Sequence, residues 1–219
     1  MASDFQGSPR FLKGALVVFE TKLPIPTNLI AFQYNPDQVA RTFEQQASSG
    51  DPRRRSGDTQ HVLAPTEKLR LTVELDAADQ LEDASPLAVA TGLHPTLAAV
   101  ELLLYPPSKD VLLGTVLAAV GSSRIQPAKV PLVLLVWWPL RVIPVRVESV
   151  AITEEAFDQL LNPIRAKVDL GLRTLTRKEL KAAGAPFDTI STVNLIAKEV
   201  LARSQAIGSV AEIGGSVSF

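Results

Sequence analysis

A chain of 219 residues with 46% hydrophobic and 21% charged side chains has the composition of one large globular domain or two small ones, which excludes wholesale disorder. Lysines and arginines number 22 against 23 acids, a formal net charge of −1, and this argues against a dedicated nucleic-acid binder. No cysteine is present and the only histidines are His61 and His94. Disulfide scaffolds, thiolate metal sites and cysteine nucleophiles are excluded, and a multi-histidine metal centre is not expected. Residues 1–10 are polar and lack a secretory pattern. The longest weakly charged stretches are 84–100, which Pro86, Gly92 and Pro95 interrupt, and 111–123, which is short of the ~20 residues of a bilayer span. Cytoplasmic synthesis without membrane insertion is expected.

Residues 11–21 (FLKGALVVFET) mix β-branched and aromatic residues with polar ones and predict a strand, broken by Pro24 and Pro26. Residues 29–34 predict a second strand, Leu29, Ala31 and Gln33 alternating with Ile30, Phe32 and Tyr34. Asn35-Pro36-Asp37 is a turn signal, after which residues 38–45 resume as a strand with Val39, Arg41 and Phe43 on one face. Residues 47–60 (ASSGDPRRRSGDTQ) have no apolar periodicity and many breakers, which predicts a mobile loop. Arg53, Arg54 and Arg55 within it are either a basic contact patch or a solvated tip neutralised by Asp51 and Asp58.

Residues 68–76 (KLRLTVELD) give the cleanest strand: Leu69, Leu71, Val73 and Leu75 alternate with Arg70, Thr72 and Glu74, one buried face and one wet. Ser85-Pro86 reads as an N-cap followed by proline at the first helical position. Leu97, Val100, Glu101 and Leu104 have helical spacing, ended by Pro106-Pro107. Residues 111–119 are apolar and of either type. The unbroken apolar run at 132–138 predicts a buried strand. Residues 140–153 continue as strands, with Val145, Val147 and Ser149 on one face. In 164–176 Ile164, Ala166, Val168, Leu170, Leu172 and Thr174 form an apolar face, and Arg165, Lys167, Asp169, Gly171 and Arg173 a polar one. Gly184-Ala185-Pro186 breaks a short helix at 177–183. Ile190, Val193, Ile196, Ala197, Val200 and Leu201 form an amphipathic stripe for core or docking. Asp188 or Ser191 is placed to cap that helix and Gly208 to end it, with a loose Gly/Ser-rich end at 213–219.

No catalytic constellation stands out. A Walker loop, a glycine fingerprint and a G-x-S-x-G elbow are all missing. Glu154-Glu155 and Glu82-Asp83 are adjacent acids that point apart, whereas acid–base pairs need two carboxyls aimed at one point. His94 reads as a turn or core histidine. Trp137-Trp138 faces opposite sides of a strand, one ring in the core and the other at an interface or rim; a sugar-stacking role would make the chain a cell-wall glycan-binding module. No cofactor is implied.

Three segments in order resemble a known family: AFQYNP (31–36), LRLTVELD (69–76), and a late block of VPLVLLVWW (130–138), RVESVAIT (146–153) and NPIRAKVDLGL (162–172). Together they are similar to the N-terminal domain of contractile injection system tube proteins, phage-tail-like baseplate proteins that often carry a C-terminal LysM module. The motif positions are Phe32, Asn35 and Pro36; Trp137 or Trp138; and Pro163, Arg165 and Ala166. Pro139 stands where the family commonly has glycine, and no LysM-like segment follows residue 177.

The resemblance implies a mainly β fold with α (α+β), a tail-tube-like β-barrel or sandwich with a packed helix over 1–177; the helical extension over 178–219 is read from the residues and departs from the family. It also implies a non-enzymatic hexameric ring that joins the central spike to the inner tube of a baseplate hub. The partners would be sister copies, the spike protein, inner tube proteins and baseplate wedge proteins, with neither nucleic acid nor membrane. The particle would assemble in the cytoplasm, the polar strand faces would line the lumen or meet a neighbouring ring, and the tail would dock on a baseplate neighbour. An inner tube subunit proper is the alternative structural reading.

Overall fold

The computed structural model describes residues 13–19, 25–45, 65–82, 85–119, 130–137 and 141–216. The expected loop at 47–60 with its three arginines, His61 and Trp138 lie outside them. Among the described residues the fold is mixed α/β. Four strands come first: β1 (Ala15–Phe19), β2 (Asn28–Ala31), β3 (Val39–Glu44) and β4 (Thr66–Asp76). Four helices follow: α1 (Ala78–Glu82), α2 (Pro86–Thr91), α3 (His94–Glu101) and α4 (Ser108–Ala119). Then come β5 (Leu132–Trp137), β6 (Arg141–Phe157), β7 (Pro163–Thr174), α5 (Arg177–Ala183) and α6 (Ala185–Ser216). The strands form one antiparallel sheet in the order β2-β1-β5-β6-β7-β4-β3.

Burial explains why some strands alternate and one does not. On β4, Leu69, Leu71, Val73 and Leu75 are buried opposite Leu172, Leu170, Val168 and Ala166 of β7. The reverse faces turn Arg70, Thr72, Glu74, Arg165, Lys167 and Asp169 to solvent. β5 is apolar throughout because both its faces are covered. Val133 and Leu135 enter the main core with Leu97 and Val100 of α3. Leu134 enters a second core with Phe19, Leu175, Leu180 and Phe187, against which Leu132 also packs. Each buried leucine or valine removes enough apolar surface to contribute ~1.5–3 kcal/mol.

β6 departs from its expected face. Val147 lies opposite Leu172, but Ser149 lies opposite Gly171, so Glu148 is an extra residue in a bulge. The bulge turns Ser149 to the wet side and returns Val150 and Ile152 to the core, a shift that strict alternation does not anticipate. A β-carbon on Gly171 would collide with Ser149 Oγ.

Among the described residues the sheet is open and a β-barrel is not shown: β2 and β3 are its two edges, and no ladder between described residues joins them. The chain nevertheless crosses from β2 to β3 through residues 32–38 alone. Fully stretched, that link reaches ~26–29 Å, barely the ~29 Å width of a flat seven-stranded sheet. Because the segment bends at Gln33, Tyr34 and Asp37, the sheet has to curl, and the main core with α3 fills its hollow.

Helix boundaries follow local chemistry. Pro86 opens α2 after Ser85, whose side chain makes no cap bond. α3 stops at Glu101, so Leu104 lies beyond it, and the ambiguous 111–119 stretch belongs to α4. Thr176 and Glu179 form a reciprocal capping box on α5, and Gly184 at φ 118° ends it.

α6 begins at Ala185, ahead of the expected caps, and continues through Gly208 to Ser216. Glycine within a helix costs only ~1 kcal/mol and does not by itself terminate one. The stripe of α6 divides. Phe187 and Ile190 pack on the second core. Asn194 donates to the Val142 carbonyl, and Lys198 Nζ bonds Glu67 Oε2 at 2.9 Å. Val193, Ile196, Val200 and Leu201 point outward and are more than half exposed.

Candidate functional site

The motif residues form two groups, far apart in sequence, that meet at Asp76. In the first group, Phe32 is buried and its N–H donates to the Gly14 carbonyl at 2.8 Å. Asn35 Oδ1 accepts the Gly14 N–H at 2.9 Å. The edge of Phe32 meets Trp137 with centroids 6.3 Å apart. The AFQYNP segment is thus stapled to the start of β1, which places the Asn35-Pro36 turn where the chain leaves one sheet edge for the other. A β-carbon on Gly14 would press into the Phe32 ring, so glycine there permits the staple.

In the second group, Pro163 and Ala166 are buried on β7 and Arg165 is exposed. Arg165 Nε and Nη2 both donate to Asp76 Oδ2, at 3.0 and 2.8 Å. The Asp76 N–H donates to Gln33 Oε1 at 2.8 Å, and Asp76 Oδ1 accepts the Ala78 N–H at 2.8 Å. Asp76, the last residue of the middle motif, therefore joins the first motif to the late one. It is absent from the motif positions because no local pattern reveals a bond across 89 residues.

Around this junction lies a shallow polar cleft of about 370 Å³, lined by Tyr34, Glu74, Asp76, Glu155, Arg165 and Lys167. The Ala78 N–H and then Arg165 hold Asp76 below the ordinary carboxylate range. Asp76 raises Arg165. Lys167, bonded to Glu155 at 2.8 Å, is likewise raised. Such shifts lock each group in its charged form, whereas acid–base catalysis needs a pKa brought near neutrality. The charges continue along the wet face: Thr72 donates to Asp169, and Arg173 bonds Glu148 and Glu179 at 2.8 and 3.0 Å. Among the described residues, no group of three or more histidines and acids could hold a metal ion, and no helix is long and apolar enough to cross a membrane.

Trp137 is half-buried, and its ring meets Phe32 and packs against the main core. His94 is the exposed first residue of α3 and not a core histidine.

Sequence reasoning also missed Glu67. It is 3% exposed and bonded by Arg141 at 2.9 Å and Lys198 at 2.9 Å, with Arg41 at 3.6 Å. Lys198 and Arg41 both lie over the Phe43 ring. One acid thereby ties β3, β4, β6 and α6 together.

No protein-family model matches this chain, and no curated protein matches it.

Proposed function

We propose that this chain is a non-enzymatic building block of a contractile injection system: a tail-tube-like subunit of a hexameric ring that joins the central spike to the inner tube in the baseplate hub. The observation that carries this reading is the convergence of the three ordered motif segments on Asp76, at the end of a curled sheet whose two edges have no further strand among the described residues. Unpaired edges invite strand addition from another chain, and pairing in a closed ring removes them. Two further features support an assembly subunit. The wet face holds fixed, mutually neutralising charges suited to lining water, and the apolar stripe of α6 faces outward, suited to a baseplate neighbour. Assembly takes place in the cytoplasm under this reading.

Size measurement of the purified chain, with electron microscopy of the particle, tests the proposal. Six-fold rings in one copy per spike are expected; a monodisperse monomer that never joins rings, spike or tube overturns it. Many stacked rings would identify an inner tube subunit instead. Deleting residues 188–219 is a blunt probe of the tail, since Ile190, Asn194 and Lys198 contact the sheet. Val193→Asp with Val200→Asp alters only the outward stripe and is expected to block docking while the domain stays folded.

A further inference from the structure

Glu67 gathers more positive charge than it can neutralise. Arg141 Nη2 and Lys198 Nζ each bond its carboxylate at 2.9 Å, and Arg41 Nη1 stands 3.6 Å from Oε1. Among the described residues no second acid pairs with any of the three, so three positive charges face one negative and two are left over. Glu44, the nearest acid on β3, is engaged by Lys68. Residues 46–64, which join β3 to β4, hold two aspartates and three arginines, so their composition supplies no surplus of negative charge. Burial and then the positive charge of Arg41 push the Arg141 guanidinium below its ordinary value, against the pull of Glu67.

Hydrogen-bond donors are left over as well. A guanidinium carries five N–H bonds and an ammonium three. Arg141 and Lys198 each use one on Glu67, and Arg41 approaches Glu67 at ion-pair and not hydrogen-bond distance. Arg41 and Lys198 are 41% and 50% exposed, so a solute reaches both. Phe43 sets them side by side: the Arg41 guanidinium lies 5.8 Å and the Lys198 ammonium 5.6 Å from the centre of its ring. Arg41 and Phe43 belong to the edge strand β3 and Lys198 to α6, so the cluster sits where the helix meets that edge.

We propose that this cluster is a binding site for a small dianionic oxyanion of the phosphate or sulfate kind, held by Arg41 and Lys198 with added charge from the less exposed Arg141. Bonds from guanidinium and ammonium groups to oxyanions are among the stronger hydrogen bonds a protein makes, and a dianion cancels the surplus that Glu67 leaves. Glu67, itself buried, already gathers the three bases, so the site is assembled before the anion arrives. An anion bonded to both Arg41 and Lys198 ties α6 to β3, and its occupancy strengthens the hold of the helix on the sheet edge. The site is independent of the ring reading.

Calorimetric titration of the full chain with inorganic phosphate, chloride holding the ionic strength constant, tests the site. Saturable binding is expected, with a rise in melting temperature that follows from it. Phosphate also stabilises proteins generally by exclusion from their surface, so variants separate the two causes. Arg41→Gln, at a partly exposed residue, is expected to weaken phosphate binding at least tenfold while circular dichroism stays that of the wild type. Arg70→Gln removes an exposed arginine from the opposite face of β4 and is expected to leave binding unchanged. Sulfate is expected to displace phosphate, and acetate, with a single charge, to do so far less. A wild-type chain that takes up no phosphate overturns the site. Equal affinity in Arg41→Gln and wild type overturns it in favour of salt exclusion, and equal losses in Arg41→Gln and Arg70→Gln overturn it in favour of overall charge. Acetate that displaces phosphate as well as sulfate does overturns the assignment to a dianion.

Discussion

The carbonyl oxygen of Pro163 lies where a β-carbon on residue 92 would stand, and the same oxygen accepts the Leu93 N–H at 2.8 Å. Gly92 itself is at φ 52°, ψ −130°, a region open in practice only to glycine. The α2–α3 corner therefore rests directly on the backbone of β7, which places the helices over the hollow of the sheet. Gly92→Ala is expected to cost at least ~1–2 kcal/mol from the backbone conformation alone, and the collision with Pro163 adds to it. Chemical denaturation would show a lowered midpoint; an unchanged midpoint would contradict this placement of the corner.

Glu67 distinguishes its partners by their exposure. The Lys198 side chain is half exposed, so water can replace much of what its ammonium gives Glu67, and Lys198→Ala is expected to cost about 1 kcal/mol or less. Arg141 is more enclosed and donates to the buried Oε1 at 2.9 Å. Arg141→Ala leaves that oxygen short of a donor, at a cost of ~1–3 kcal/mol. Paired thermal melts check the order; a larger loss from Lys198→Ala would mean that α6, not β6, supplies the main counter-charge.

Glu179 gives the fold an acid sensitivity. The Arg173 guanidinium, together with the Thr176 N–H and hydroxyl, holds its carboxyl down at about 2, against an ordinary 4.5. A depressed folded-state value means that the contribution is complete above pH ~4.5 and is lost as pH falls from there toward 2. Glu179→Gln is expected to flatten the stability profile in that window and to lower stability at pH 7. A variant that melts like wild type at pH 7 and differs only below pH 3 would contradict the assignment.

Leu161, in the turn between β6 and β7, stands at φ 65° and is 76% exposed, and it should be improvable. Asparagine tolerates positive φ far better than leucine, and an exposed leucine surrenders no core contact. Leu161→Asn is expected to stabilise the monomer by ~1 kcal/mol, a rise of roughly 2–4 °C in melting temperature for a chain of this size. A lower melting temperature would mean that the leucine packs within its own chain.

How much of this could be read in the sequence depends on how local each cause is. β4 and β7 were legible because one face is dry and the other wet along their whole length. The two-sided cover of β5 was legible as an unbroken apolar run, although nothing in the run names α3 and α5 as the covers. The bulge at Glu148 left no trace, since Val-Glu-Ser-Val reads equally well as plain alternation. The stripe of α6 was visible, but not that Asn194 and Lys198, between its apolar positions, would be the residues turned inward. The bonds of Asp76 with Gln33 and Arg165, and of Glu67 with Arg141 and Lys198, join residues 43 to 131 positions apart, and such pairings are set by the fold and not by neighbours in the chain. Whether the sheet closes was likewise invisible, because closure depends on the pairing of its last strands.

β5 is a partition one residue thick. Leu134 faces the α5–α6 side while Val133 and Leu135, its immediate neighbours on the same backbone, face the α3 side. Close-packed interiors transmit displacement and do not absorb it. A partner that grips the outer turns of α6 and shifts Phe187 therefore pushes on a wall whose far surface is the seat of α3, so the two faces of the sheet are mechanically linked through a single strand.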